Sequence, residues 1–137
     1  MKRSALLTIA SLLSILFMTL HLTDDIVLGF EKGGAANLLA VPILVFWLYG
    51  TLVLAERRSG YVIMLLGSLL GMVVPIVHFK GTGGVVGGET AKSSGAFFFV
   101  WTMLALGVTA LFSLVLSARE LWRLRRTPLG TPLRPDT

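Results

Sequence analysis

Charged residues divide this sequence into four long uncharged stretches, and this spacing constrains the fold more than any other feature. Each stretch contains at least 20 residues and is bounded by two charged side chains. The bounding pairs are Arg3 and Asp24, Lys32 and Glu56, Arg58 and Lys80, and Lys92 and Arg119. Ionised side chains are costly in hydrocarbon, and about 20 helical residues cross a bilayer core of roughly 30 Å. The spacing predicts transmembrane helices at residues 5–22, 37–55, 60–79 and 96–117.

The composition supports a membrane protein over a soluble domain. Of the 137 residues, 55% are hydrophobic and only 14% are charged, with a mean hydropathy of +0.84. The apolar runs do not alternate with polar residues, as transmembrane β-strands would. We therefore predict an all-α integral membrane protein whose residues 1–118 form an antiparallel up-down bundle of four transmembrane helices.

The distribution of basic residues predicts the orientation of this bundle. Nine of the twelve fall on one side, and Lys32, Lys80 and Lys92 fall on the other. The nine are Lys2, Arg3, Arg57, Arg58, Arg119, Arg123, Arg125, Arg126 and Arg134. By the positive-inside rule, both termini are cytoplasmic and the protein is a multi-pass protein of the cell membrane. The sequence pI near 10.3 therefore reflects topology, and we expect no nucleic-acid partner.

The first apolar stretch follows Lys2 and Arg3, as the core of a signal peptide would. No small-x-small cleavage site precedes the polar residues that begin at His21. We expect this segment to stay uncleaved as the first helix.

The C-terminal residues 119–137 are predicted to form a basic, proline-rich cytoplasmic tail. Its arginines would attract anionic lipid headgroups by about 1 kcal/mol per charge, which makes membrane lipids the expected partners. The predicted headgroup contacts are Arg119, Arg123, Arg125 and Arg126.

Three glycines of the third predicted helix, Gly60, Gly67 and Gly71, mark a face suited to close helix packing. The last two form a GxxxG pattern, which lets two backbones approach closely. The partner of this face is either another helix of the chain or a second copy, in a homodimer or larger membrane complex.

The two histidines of the chain, His21 and His78, are both predicted to lie at the outer membrane face. If the first helix continues one more turn, Asp24 and Asp25 share a face with His21. Two imidazoles and a carboxylate suit a divalent zinc, copper, iron or manganese ion, and a His–Asp pair also suits acid–base chemistry. Ordinary interfacial side chains are the alternative interpretation. We do not expect haem, since bis-histidine ligation needs facing rings buried deeper than these positions.

The sequence excludes several function classes. It contains no cysteine, which removes disulfides, thiol nucleophiles and cysteine-ligated metals. The glycine-rich segment 81–95 has no P-loop or dinucleotide pattern, so no nucleotide is expected. The four spans also carry no acidic or basic charge, which disfavours ion-coupled transport.

Three functions are consistent with these features. The first is a small polytopic membrane protein with a binding, scaffold or accessory-subunit role, and the features above favour it over an enzyme. The second is a transporter or channel component for a neutral or lipidic compound. The third is a membrane enzyme or metal-binding protein with a His/Asp site at the outer face.

Overall fold

A computed structural model of the protein describes residues 3–29, 32–80 and 94–126. These residues form four α-helices and a short 3-10 helix, and no strand occurs among them. The helices are α1 (Arg3–Val27), α2 (Ala40–Leu52), α3 (Arg58–Lys80) and α4 (Ser94–Arg126), with the 3-10 helix Ala35–Leu39 leading directly into α2. Within these described ranges, the prediction of an all-helical protein with four segments long and apolar enough to span a membrane is confirmed. The glycine-rich segment 81–93 and the tail residues 127–137 lie outside the described residues.

Helix α1 continues past the predicted end at Leu22 to Val27. The predicted end at Leu22 lies just before the first acidic residues, but a carboxylate does not itself stop a helix. The chain leaves the helix at Gly29, whose φ of +77° lies in the left-handed region that glycine adopts readily. Asp24 and Asp25 are therefore helical residues.

Helix α2 ends at Leu52, earlier than the predicted residue 55. The N–H groups of Val53 and Leu54 both donate to the carbonyl oxygen of Tyr49, at 2.9 and 3.3 Å, so the regular ladder stops there. Glu56 then adopts a φ of +67°, which is uncommon for a non-glycine residue. This tight turn brings α3 back against α2.

Helix α4 packs along α1 and α3, while α2 packs mainly against α3 and more sparsely against α1. The described core is formed by large apolar side chains from all four helices. They are Leu7, Ile15, Met18, Trp47, Tyr61, Met64, Phe99, Met103 and Leu106. Many serines and threonines are also buried, which places hydroxyl groups between the helices.

The three glycines predicted to pack closely each face another part of this chain. A Cβ at Gly67 would overlap the indole of Trp47, and one at Gly71 would lie 3.0 Å from the Cβ of Ala110. At Gly60 a Cβ would overlap the carbonyl oxygen of Leu54 in the tight turn. All three positions also have a neighbour on α2, because a Cβ at Gly60 would lie 3.0 Å from the carbonyl oxygen of Gly50 and one at Gly71 would lie 3.6 Å from the indole of Trp47. The glycines of α3 therefore pack within this chain against α2, and Gly71 also approaches α4.

Buried hydroxyl groups join the helices by hydrogen bonds. The indole N–H of Trp47 donates to Oγ of Ser11 at 3.0 Å, and Ser11 Oγ lies 2.8 Å from Oγ1 of Thr51. Between α3 and α4, Oγ of Ser68 lies within hydrogen-bond distance of Oγ of Ser113, at 2.7 Å. These bonds satisfy polar groups that have no access to water.

Candidate metal centre

The first two residues of the candidate site lie one turn apart on α1. His21 and Asp25 are related by i and i+4, which puts both side chains on the same face of the helix. That face is turned into the interior, because His21 is 0% exposed and Asp25 is 7% exposed. Nε2 of His21 lies 3.4 Å from Oδ2 of Asp25.

His78, near the end of α3, brings a second imidazole to the same carboxylate. Its Nε2 lies 3.6 Å from Oδ1 of Asp25, and its Nδ1 lies 2.9 Å from the carbonyl oxygen of Val74. A carbonyl oxygen can only accept a hydrogen bond, so Nδ1 carries a proton and Nε2 of the neutral ring keeps its lone pair. A backbone bond of this kind is a common way to orient a metal-binding histidine.

The three side chains form a group that can hold a metal ion. One ligand atom from each of His21, Asp25 and His78 lies within 4.8 Å of those of the other two. Two ligands bound to one tetrahedral ion at about 2.1 Å are separated by about 3.4 Å. The two nitrogen–oxygen distances, 3.4 and 3.6 Å, are close to this value.

The imidazole of His21 has an unusual environment for a buried polar ring. Neither of its nitrogens makes a hydrogen bond with any other residue that the structure describes. Leaving a buried polar atom unsatisfied costs about 1 to 3 kcal/mol, so such atoms are rare in native proteins. A bound cation would accept the lone pair of one nitrogen and remove part of this cost.

Phe99 of α4 covers the two imidazoles. Its ring centroid lies 4.9 Å from that of His21 and 5.6 Å from that of His78, and its side chain is fully buried. Met103, one turn later, packs against Phe99. The site is therefore closed by α4 and is most open beside His78, whose side chain is 27% exposed.

Asp24, the other acidic residue considered from the sequence, faces a different neighbour. Its Oδ2 lies 3.4 Å from Oγ1 of Thr102, which also donates to the carbonyl oxygen of Phe99 at 3.0 Å. The structure thus brings together His21, Asp25 and His78 and leaves Asp24 outside their group. Phe99 and Thr102 were not identified as site residues from the sequence, although Phe99 belongs to a run of three phenylalanines at that end.

The arginines predicted to contact lipid headgroups lie on the last turns of α4, far along the helix from the candidate metal site. Arg119, Arg123, Arg125 and Arg126 are all exposed. Arg123 pairs with Glu120 at 3.1 Å, and the guanidinium of Arg126 lies 4.8 Å from the ring centroid of Trp122. The basic cluster is therefore a surface feature, separate from the buried histidines.

Comparisons of the chain with protein-family models, with curated proteins and with solved structures found no match.

Proposed function

We propose that this chain is a multi-pass membrane protein that binds a divalent transition-metal ion through His21, Asp25 and His78. The single observation that carries the metal site is the fully buried His21 ring, without a hydrogen bond to the described residues, beside Asp25 and His78. Buried charges in membrane proteins are rare and usually functional, and a carboxylate between two imidazoles is a common metal-binding arrangement.

Membrane insertion is supported by the distribution of polar and apolar side chains. The exposed faces carry large apolar residues such as Phe46, Leu66, Val108 and Phe112, whereas the hydroxyl groups of Ser68 and Ser113 are buried between helices. Water would favour the reverse arrangement. Hydrocarbon favours this one, because interhelical hydrogen bonds and small residues hold membrane helices together.

An antiparallel up-down arrangement is supported by the order of neighbours along α3 and α4. Ser68 meets Ser113, Gly71 faces Ala110, and Pro75 lies against Gly107, so residue numbers rise on one helix as they fall on the other. The basic residues then favour cytoplasmic termini, with the histidines at the outer end.

The donor set favours a borderline first-row ion over other metals. Two imidazoles and one carboxylate suit zinc, iron(II), manganese or copper(II), whereas calcium and magnesium prefer oxygen ligands and copper(I) prefers sulfur. Three protein ligands leave a coordination position for water or another molecule, as in catalytic zinc sites and in iron enzymes with two histidines and one carboxylate. A structural ion that braces α1 against α3 would equally suit a binding or accessory-subunit role.

Metal analysis of detergent-purified protein tests the proposal, with Asp25→Asn and Asp24→Asn as a matched pair. We expect about one metal ion per wild-type chain, retention in Asp24→Asn, and loss in Asp25→Asn and His78→Ala. Both aspartate variants remove one negative charge from adjacent positions of α1, so general electrostatics affect them alike. A wild-type protein that purifies without metal and takes up none from zinc, iron(II) or manganese solutions contradicts the proposal. Equal metal content in the two aspartate variants does so as well.

A further inference from the structure

A groove of about 710 Å³ lies between the last turns of α4 and the first turns of α1, at the end of the protein opposite the histidines. Three arginines of α4, Arg119, Arg123 and Arg126, line it at i, i+4 and i+7, so they share one face of the helix. One acidic side chain, Glu120, also lines the groove and pairs with Arg123 at 3.1 Å. Three cations against one anion leave the groove with an excess of positive charge.

The remainder of this groove is apolar. Leu6 of α1 and Val115 and Leu116 of α4 line it on the side toward the middle of the helices. Trp122 lies among the arginines, with the guanidinium of Arg126 over its ring at 4.8 Å. Tryptophan and arginine are both typical of the membrane–water interface, where an amphipathic side chain contacts headgroup and hydrocarbon together. The groove is thus basic at one end and apolar at the other.

We propose that this groove binds one anionic phospholipid. The phosphate lies among the guanidinium groups of Arg119, Arg123 and Arg126, which can donate paired hydrogen bonds to its oxygens. An acyl chain follows Leu6, Val115 and Leu116 toward the bilayer centre. The charge gradient along the groove matches that of an anionic lipid, and its volume is within the range of small-molecule sites. The inference rests on the membrane insertion proposed above and is independent of the metal.

The arginines on the other side of α4 provide a matched control. The sequence groups Arg125 with the other three arginines, but the structure places it outside the groove, where it lines a second recess of about 500 Å³ together with Arg58 of α3. Arg57, which precedes Arg58, is exposed. A variant with Arg57, Arg58 and Arg125 all changed to glutamine loses the same charge at the same end of the protein. It leaves the three groove arginines intact.

Native mass spectrometry of the full chain in detergent, with added phosphatidylglycerol or phosphatidylcholine, tests the proposal. We expect the wild type and the control variant to retain one phosphatidylglycerol molecule. The variant with Arg119, Arg123 and Arg126 changed to glutamine should bind it at least tenfold more weakly, since each guanidinium contributes to attraction of an anionic headgroup. Phosphatidylcholine should bind the three proteins equally.

An equal loss of phosphatidylglycerol binding in the two triple variants would overturn the proposal, because it would indicate general charge attraction instead of a defined site. Undiminished phosphatidylglycerol binding by the variant at Arg119, Arg123 and Arg126, here called the groove variant, would overturn it too. Carbonate extraction of membranes and metal analysis are done on the same preparations. A carbonate-resistant groove variant that keeps its metal and its lipid contradicts the lipid site alone, whereas release of the wild type by carbonate contradicts membrane insertion.

Discussion

His21 and His78 lie on different helices with their ring centroids 4.9 Å apart and their planes at 80°. The Asp25 carboxylate lies 3.4 Å from Nε2 of one ring and 3.6 Å from Nε2 of the other. An ion bound by these three side chains would connect α1 to α3. Those two helices otherwise share few contacts with each other, since each packs mainly against α4. The proposed metal would therefore stabilise the arrangement of the helices as well as the site.

Added zinc should raise the melting temperature of the wild-type protein in detergent after a chelator has removed its bound metal. A ligand that binds only the folded state at a hundred times its dissociation constant adds about 2.7 kcal/mol to the free energy of unfolding. Asp24→Asn should show the same increase as the wild type, and His78→Ala should show none. Thermal unfolding followed by circular dichroism, with and without zinc, measures the difference. An equal increase in His78→Ala would show that zinc binds elsewhere.

Phe99→Ala should open the site and destabilise the protein. The ring is fully buried against both imidazoles, and removal of a buried phenylalanine side chain typically costs about 3 to 5 kcal/mol. Phe97→Ala is the control, because Phe97 is 67% exposed and its loss should change the free energy of unfolding little. Bound metal should be removed faster by a chelator in Phe99→Ala. Equal chelation rates in the two variants would contradict the role of Phe99 as a cover.

Gly67→Ala should weaken the packing of α3 against α2. An added Cβ would overlap the indole of Trp47, and overpacking of a tight interface costs about 1 to 3 kcal/mol. Gly95→Ala is the matched control on α4, because its nearest neighbour would lie 3.7 Å away. Unfolding in mixed detergents should show Gly67→Ala less stable than the wild type and Gly95→Ala no less stable. Similar stability of both variants would mean that Trp47 does not pack on Gly67.

The hydrogen bond between Ser68 and Ser113 should appear as a coupling in a double-mutant cycle. Interhelical hydrogen bonds in membrane proteins contribute about 0.6 kcal/mol on average. The sum of the effects of Ser68→Ala and Ser113→Ala should therefore exceed the effect of the double variant by about that amount. Thr109 provides a control, since its hydroxyl bonds to carbonyl groups of its own helix and should not couple to Ser68. Strict additivity for Ser68 and Ser113 would contradict the contact.

Single cysteines can test the proposed orientation, because the chain contains none of its own. Gly34 and Ser59 are exposed and lie before and after α2, and a Cβ at Gly34 meets no neighbour within 4 Å. A membrane-impermeant maleimide should label Gly34→Cys in intact cells and Ser59→Cys only after permeabilisation. Reporter fusions at Gly84 and Thr137 should likewise report opposite sides. Labelling of both cysteines in intact cells would contradict the topology.

The helical architecture follows from the sequence because it depends on a property summed along the chain. Each uncharged stretch is long enough to cross the bilayer, so local differences in helix propensity do not change the number of helices. Charged side chains are costly in hydrocarbon, and their positions therefore set the approximate ends of each span. The exact ends depend on local backbone geometry. The left-handed Gly29 extends α1 to Val27, and the turn at Glu56 shortens α2.

The candidate site was only partly predictable for a different reason. The sequence places His21 and His78 toward the same end of the helices, but it does not establish that α1 and α3 approach closely there. Helical spacing alone left Asp24 and Asp25 as alternatives, since i+3 and i+4 both neighbour His21. Which of the two aspartates joins the histidines depends on the position of α4. Thr102 of that helix lies beside Asp24, and Phe99 packs against the imidazole of His21. The hydrogen bond of Trp47 to Ser11 likewise depends on how α1 and α2 pack.

X-ray absorption spectroscopy at the edge of the bound metal tests the central claim most directly, because it identifies the ligands themselves. In zinc-loaded protein we expect nitrogen and oxygen ligands at about 2.0 to 2.1 Å, with the outer-shell scattering of two imidazoles. His78→Ala should bind no zinc and give no such spectrum. A spectrum of bound zinc without imidazole scattering would contradict a metal centre formed by His21, Asp25 and His78.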